Sequence, residues 1–157
     1  MVLSFLFKFV SMDKKIPLRL DQQFCFPVYA ASRLIIRAYQ PLLAPLGISY
    51  PQYLVFLLLW EEDGRSMKDL RERLLLNSNT ITPLMKRMEK EGWLQRQKDP
   101  QDERVWRIHL TEKGQALKEE GQKVPTQLIA GLEKSELQLE DLQELKKGLE
   151  LLIEQLS

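Results

Sequence analysis

Few residues in this sequence have chemical reach, and they fall into three clusters. Cys25 sits in the run QFCFPVYAASR between Phe24 and Phe26, with Tyr29 one helical turn further on. A thiol at the start of a helix feels the positive end of the macrodipole, which favours the thiolate, the form that attacks peroxides and disulfides. The aromatic neighbours would make an apolar pocket that admits organic oxidants. The alternative for a lone cysteine is a small core residue. The second cluster is SNTITPLMKRMEK, whose first turn carries Ser78, Asn79, Thr80 and Thr82, with Lys86, Arg87 and Lys90 further along. Such a helix can set its short polar side chains against base edges and its later cations against phosphates. An ordinary capped surface helix is the alternative. The third is KDPQDER, where Asp102 stands two residues before Arg104. An acid so placed can orient a guanidinium at a loop tip, which suits a narrow minor groove; a solvated turn salt bridge is the alternative.

Composition removes most other chemistries. With one Cys and one His, the chain can build neither an internal disulfide framework nor a multi-cysteine metal site, and Ser-His-Asp catalysis would have to use His109. His109 alternates with Trp106, Ile108 and Leu110, which reads as a solvent-facing strand residue, and Trp60, Trp93 and Trp106 read as packing residues. Gly64 and Gly92 are turn residues outside any phosphate-loop context, so no cofactor is expected. The 157 residues amount to about one domain. Lys and Arg (23) against Asp and Glu (22) leave a net charge of +1, so only local charge can carry information. Residues 112–157 hold six basic and ten acidic residues, and these helices are expected to face away from a polyanion.

These side chains need elements to position them. Residues 1–20 read as an arm. Val2–Val10 is apolar but interrupted by Lys8 and well short of the ~20 residues that span a bilayer. Met12 fits the biological start, which would make the first eleven residues a start-site artefact or a disordered arm. No membrane partner is expected, and the place of action is the cytoplasm, where thiols are kept reduced. Asp21 is expected to cap a first helix running to about Leu43, with Val28, Ala31, Ile35, Ala38 and Leu42 on one face and Pro41, Pro45 and Gly47 ending it. Ser49 and Gln52 form a capping box before the all-apolar, hence buried, YLVFLLLW, and Ser66 with Asp69 forms another after the Asp63-Gly64 turn. Asn77 or Ser78 caps the next helix, Thr80 to about Lys90, with Pro83 in its first turn. WLQRQ and VWRIHL then make a β-hairpin with an exposed tip. Thr111 starts the return to helix, interrupted at Pro125 and Gly131 and restarted by Ser135 and Gln138. Leu142, Leu145, Leu149, Leu152 and Leu156 follow in heptad-like steps that suit a partner of similar shape. The fold expected is mainly α with a small β-hairpin: a winged helix-turn-helix over about 50–111, flanked by dimerisation helices at 21–46 and 112–157.

On the residues QFCFPVYAASR, YQPLL, ISYPQYLVFLLLWE, NSNTITPLMKRMEKEGW and DPQDERVWRIHLT, the sequence resembles the multiple-antibiotic-resistance regulator (MarR) family. Within that family it resembles the organic hydroperoxide resistance (OhrR) type, and the likeness covers about residues 21–157. The resemblance implies a homodimeric repressor of a pseudo-palindromic double-stranded DNA operator, lifted when its cysteine is oxidised by an organic hydroperoxide. Carried over by position, Cys25 matches the sensing cysteine, and Tyr39 and Tyr50 match two tyrosines that contact it from the other subunit. Ser78, Thr80 and Thr82 match recognition-helix positions, and Asp102 and Arg104 match the wing. The sequence departs from this pattern by lacking a C-terminal cysteine, which leaves a low-molecular-weight thiol, a sulfenamide or overoxidation as the fate of Cys25. Pro27 also departs, and can shift the helix start relative to Cys25. The competing readings are release by a small aromatic or phenolic ligand, a thiol peroxidase, and a helical interaction module.

Overall fold

The computed structural model describes residues 18–132 and 138–157; the arm up to residue 17 and Ser135 lie outside them. The described chain forms two compact units, residues 33–129 and, separately, residues 18–32 with the described part of 130–157. A short 3-10 turn, Leu20–Gln22, precedes helix α1, Cys25–Leu43. Asp21 lies inside that turn and pairs with Arg19, so it does not cap α1. Pro27 is the third residue of α1, where no helical N–H is required of it. Pro41 does not break α1, because it falls in the last turn; the helix ends two residues later in a 3-10 turn, Ala44–Leu46, closed by left-handed Gly47.

Helix α2, Tyr50–Glu61, opens with the capping box of Ser49 and Gln52 and supplies the centre of the core. Tyr53, Val55, Phe56, Leu59 and Trp60 are buried, whereas Leu57 is part-exposed, so the helix is not buried all round. Strand β1, Arg65–Ser66, is not foreseen from the sequence because two residues carry no periodicity. Helices α3, Met67–Arg73, and α4, Ser78–Lys90, form the helix-turn-helix. Strands β2, Leu94–Lys98, and β3, Trp106–Leu110, pair antiparallel, and the sheet order is β1-β3-β2. Helices α5, Glu112–Ala116, α6, Lys118–Gly121, and α7, Val124–Leu132, follow, then α8, Leu139–Leu156. Pro125 and Gly131 lie inside α7, not at breaks, since Pro125 is in its first turn. The cap of α8 is Gln138 with Asp141.

The core of the 33–129 unit joins Leu43, the buried face of α2, Leu70, the inner face of α4 (Ile81, Leu84, Met85, Met88), Trp93, Leu94, Ile108 and Val124. Gly121 packs directly on the Trp60 ring, which leaves no room for a Cβ. On α1 the apolar side chains Leu34 and Ile35 are 63% and 48% exposed, and on α8 Leu145 is 55% exposed.

Leu75, in the turn between α3 and α4, has φ 53 and is 63% exposed. A branched side chain in the left-handed region is strained by roughly 1–2 kcal/mol, and this one gains little burial in return. Leu75→Asn is expected to raise stability by about 0.5–1 kcal/mol. The readout is the urea midpoint at fixed protein concentration, and an unchanged or lower midpoint contradicts it.

Candidate functional site

Cys25 is the first residue of α1 and is exposed. Phe24 and Tyr29 are more than half exposed as well, so these rings do not wall in the thiol, contrary to the expected pocket. Phe24 precedes the helix and Tyr29 follows its first turn, where the apolar pattern is too short to force burial.

Tyr39 and Tyr50 meet in the other unit, their ring centroids 4.8 Å apart, and Tyr53 lies 5.9 Å from Tyr39. The end of α1 and the start of α2 bring the three together. The Tyr53 hydroxyl donates to the Gly121 carbonyl at 3.0 Å. Among the described residues the hydroxyls of Tyr39 and Tyr50 have no hydrogen-bond partner in the chain, so both are available to a further acceptor. Burial pushes all three phenols up, most strongly Tyr53, to about 12, and the adjacent tyrosines add to the rise at Tyr39 and Tyr53. They are therefore neutral donors at physiological pH.

Helix α4 is set by its apolar face, which turns the opposite face outward. Asn77 Oδ1 accepts from the Thr80 backbone N–H at 2.9 Å and from the Thr80 hydroxyl at 2.9 Å. Ser78, Asn79 and Thr80 are exposed, Thr82 is half-buried, and Lys86 and Arg87 are exposed and unpaired among the described residues. Because α4 begins at Ser78, Pro83 is its sixth residue and lies beyond the first turn. Its missing N–H leaves the Asn79 carbonyl without its usual helical donor. The far end of α4 is clamped: Thr111 Oγ1 donates to the Gly92 carbonyl at 2.6 Å and Lys113 Nζ to the Glu91 carbonyl at 2.7 Å. Arg96 on β2 pairs with Glu89 on α4 at 2.7 Å.

The hairpin differs from expectation at three places. Asp102 does not hold the Arg104 guanidinium; its Oδ1 accepts the Arg104 backbone N–H at 3.0 Å, and the guanidinium is unpaired among the described residues. The acid that binds a guanidinium is Asp99, whose Oδ2 accepts from Arg107 Nε at 2.5 Å. His109 is half-buried, with Nδ1 2.8 Å from Asp63 Oδ2, because Asp63 also accepts the Leu110 N–H and bridges the two segments. Trp106 is 45% exposed and packs less than Trp60 and Trp93. The partners Asp99 and Asp63 are separated from theirs by eight and forty-six residues, which no local spacing reveals.

The sequence model of a family described as transcriptional regulator SarA/Rot matches residues 37–120. The organic hydroperoxide resistance transcriptional regulator of Bacillus subtilis (strain 168) is 45% identical over 139 residues, covering 88% of this chain and 92% of that protein. This chain belongs to the MarR family of transcriptional regulators. The MarR fold is evident in solved structures too. Reduced AbfR bound to DNA superposes with a TM-score of 0.71 at 35% identity, over 89% of this chain and 95% of that one. Overoxidized AbfR bound to DNA gives 0.69 at 35% identity over 89% and 96%. AbfR is a protein of Staphylococcus epidermidis. As a MarR-family member the chain is a regulator and not an enzyme, which sets aside the peroxidase reading. No single helix among its described residues is long and apolar enough to cross a membrane.

The tyrosine cluster makes a pH prediction. The folded Tyr53 phenol titrates at about 12, and an unfolded one near ~10, so its contribution to stability is whole below pH ~10 and is lost between there and about 12. Thermal unfolding is expected to fall steeply across that window, and less steeply in Tyr53→Phe, which at neutral pH costs about 1 kcal/mol for the lost hydrogen bond. An equal fall in both proteins contradicts the assignment.

Proposed function

We propose that this MarR-family member is a homodimeric DNA-binding repressor whose operator affinity falls when an organic hydroperoxide oxidises Cys25. The observation that carries the reading is the pair of touching, protonated phenols at Tyr39 and Tyr50 with their hydroxyls uncommitted, in a chain whose single thiol is exposed at a helix start. In a dimer, the partner's tyrosines would serve it, and Tyr29, one turn from the thiol, would flank it. The apolar faces left open on α1 and α8 support the same arrangement. The regions 21–46 and 112–157 would form the dimer, and 50–111 the DNA-binding lobe.

The chemistry is a displacement at oxygen. The Cys25 thiolate attacks the peroxide O–O bond, becomes sulfenic acid and expels an alkoxide that takes a proton to leave as the alcohol. The sulfenic acid then condenses with a low-molecular-weight thiol, releasing water, or with a backbone nitrogen. An overoxidized relative that still binds DNA favours these reversible products as the releasing forms. Either one removes the thiolate that the phenols would hold, and a shift at the dimer interface would spoil half-sites ~34–36 Å apart. On DNA, Ser78, Asn79, Thr80 and Thr82 would face bases, Lys86 and Arg87 phosphates, and Arg104 the minor groove, with Asp102 shaping the tip. Acting on the chromosome, the protein would work in the cytoplasm.

Fluorescence anisotropy on the DNA flanking its own gene tests this. One equivalent of cumene hydroperoxide should release wild type at least tenfold, while Cys25→Ser binds and holds. Release of Cys25→Ser by hydroperoxide overturns the sensing role, and release of both proteins by a phenolic ligand alone would favour that effector instead. Arg104→Ala and Lys86→Ala should each weaken binding and flatten the log–log salt slope by about 0.9 for every phosphate no longer neutralised. An unchanged slope in both contradicts the DNA face.

A further inference from the structure

Asp99 is the only buried carboxylate among the described residues, 7% exposed, and it sits at the first position after β2, in the hairpin that would enter DNA. Its two oxygens are fully engaged. Oδ1 accepts the backbone N–H groups of Gln101 at 2.8 Å and Asp102 at 3.3 Å, and Oδ2 accepts Arg107 Nε at 2.5 Å. The Asp99 N–H donates to the Val105 carbonyl at 2.9 Å, closing the loop across its neck. Arg107 reaches on to the Gly64 carbonyl at 3.1 Å, which ties the hairpin to the turn before β1. The exposed tip thus hangs from one carboxylate, and the free Arg104 guanidinium projects from that tip. The N–H groups of Gln101 and Asp102 and the Arg107 cation hold the Asp99 carboxyl below the usual carboxylate range, so it is charged at physiological pH.

We infer that Asp99 is a positioning residue for DNA recognition: it fixes the wing loop in the shape that presents Arg104, and it holds Arg107 in the hairpin and away from phosphate. The inference rests on the DNA-binding reading above. It reverses the sign expected from charge. By Coulomb's law alone, deleting a negative charge close to a polyanion strengthens binding. If the carboxylate builds the loop, deleting it weakens binding, because ordering the free loop must then be done on the DNA.

The test measures operator affinity and its salt dependence for wild type, Asp99→Ala, Asp99→Asn, Glu103→Gln and Arg104→Ala. Glu103 is exposed at the same tip, and its distant partner Lys98, at 3.7 Å, makes it a control for charge alone. Asp99→Ala is expected to lose about tenfold in affinity. Asp99→Asn, equally neutral but still able to accept from the loop N–H groups, is expected to lose about threefold, and Glu103→Gln to bind as well as wild type or better. The double variant Asp99→Ala/Arg104→Ala should bind as Arg104→Ala does, since both changes remove the same interaction. Amide exchange at Gln101 and Asp102 should accelerate in Asp99→Ala with the urea midpoint of the core little changed. Binding by both Asp99 variants as tight as wild type overturns the inference, as does strict additivity with Arg104→Ala. If Asp99→Ala does not fold, the ranking of Asp99→Asn below wild type and Glu103→Gln decides it. Should wild type itself not bind the operator, the DNA reading fails; should wild type and Arg104→Ala behave as expected and Asp99 not matter, only this inference fails.

Discussion

Apolar side chains that one chain leaves uncovered are the constraint on which this protein's workings depend. Helix α1 exposes Val28, Leu34, Ile35 and Ile36 along its length, and α8 exposes Leu145, Leu151, Ile153 and Leu156. Exposed apolar side chains gathered on two helices of a small protein mark an interaction surface, and a second copy of the chain would cover them. In the proposed dimer this burial does more than stabilise. It would set the distance between two DNA-reading lobes, and would bring the start of one α1, with Cys25, within reach of the other chain's tyrosines. Sensing and half-site spacing then share one interface.

Within the 33–129 unit the same economy holds. Helix α2 contributes Tyr53, Phe56 and Trp60 to one aromatic cluster, with Phe56 stacked on Trp60 at 5.1 Å and edge-on to Trp93 at 5.8 Å. That cluster supports the inner face of α4, while Thr111 and Lys113 hold the carbonyls that follow its last turn. The polar N-terminal turn of α4 is consequently presented by a rigid body, not by a loop. The hairpin is braced separately, through Glu89 with Arg96 and Asp99 with Arg107.

What is legible in the sequence is what local spacing encodes. The caps at Ser49, Ser66, Asn77 and Thr111, the α4 and hairpin boundaries within two residues, and the heptad-like α8 all follow from patterns within one turn or one strand. Expectation and structure part where distant or weak signals decide. The short β1 has no period, prolines at 41 and 125 are accommodated by their place in a helix while Pro83 sits inside one, and the acid–guanidinium pair of the wing joins residues eight apart across a loop. Asp102 is the acid nearest Arg104 in sequence, yet backbone geometry gives it the Arg104 N–H, and the ion pair falls to Asp99.

The dimer is the claim that every other part of the account needs, and sedimentation equilibrium of the reduced protein tests it most directly. The account predicts a single species of twice the 18.5 kDa chain mass, undissociated down to nanomolar concentration and binding one operator per dimer. A monomer of 18.5 kDa that binds the full operator with undiminished affinity would contradict it.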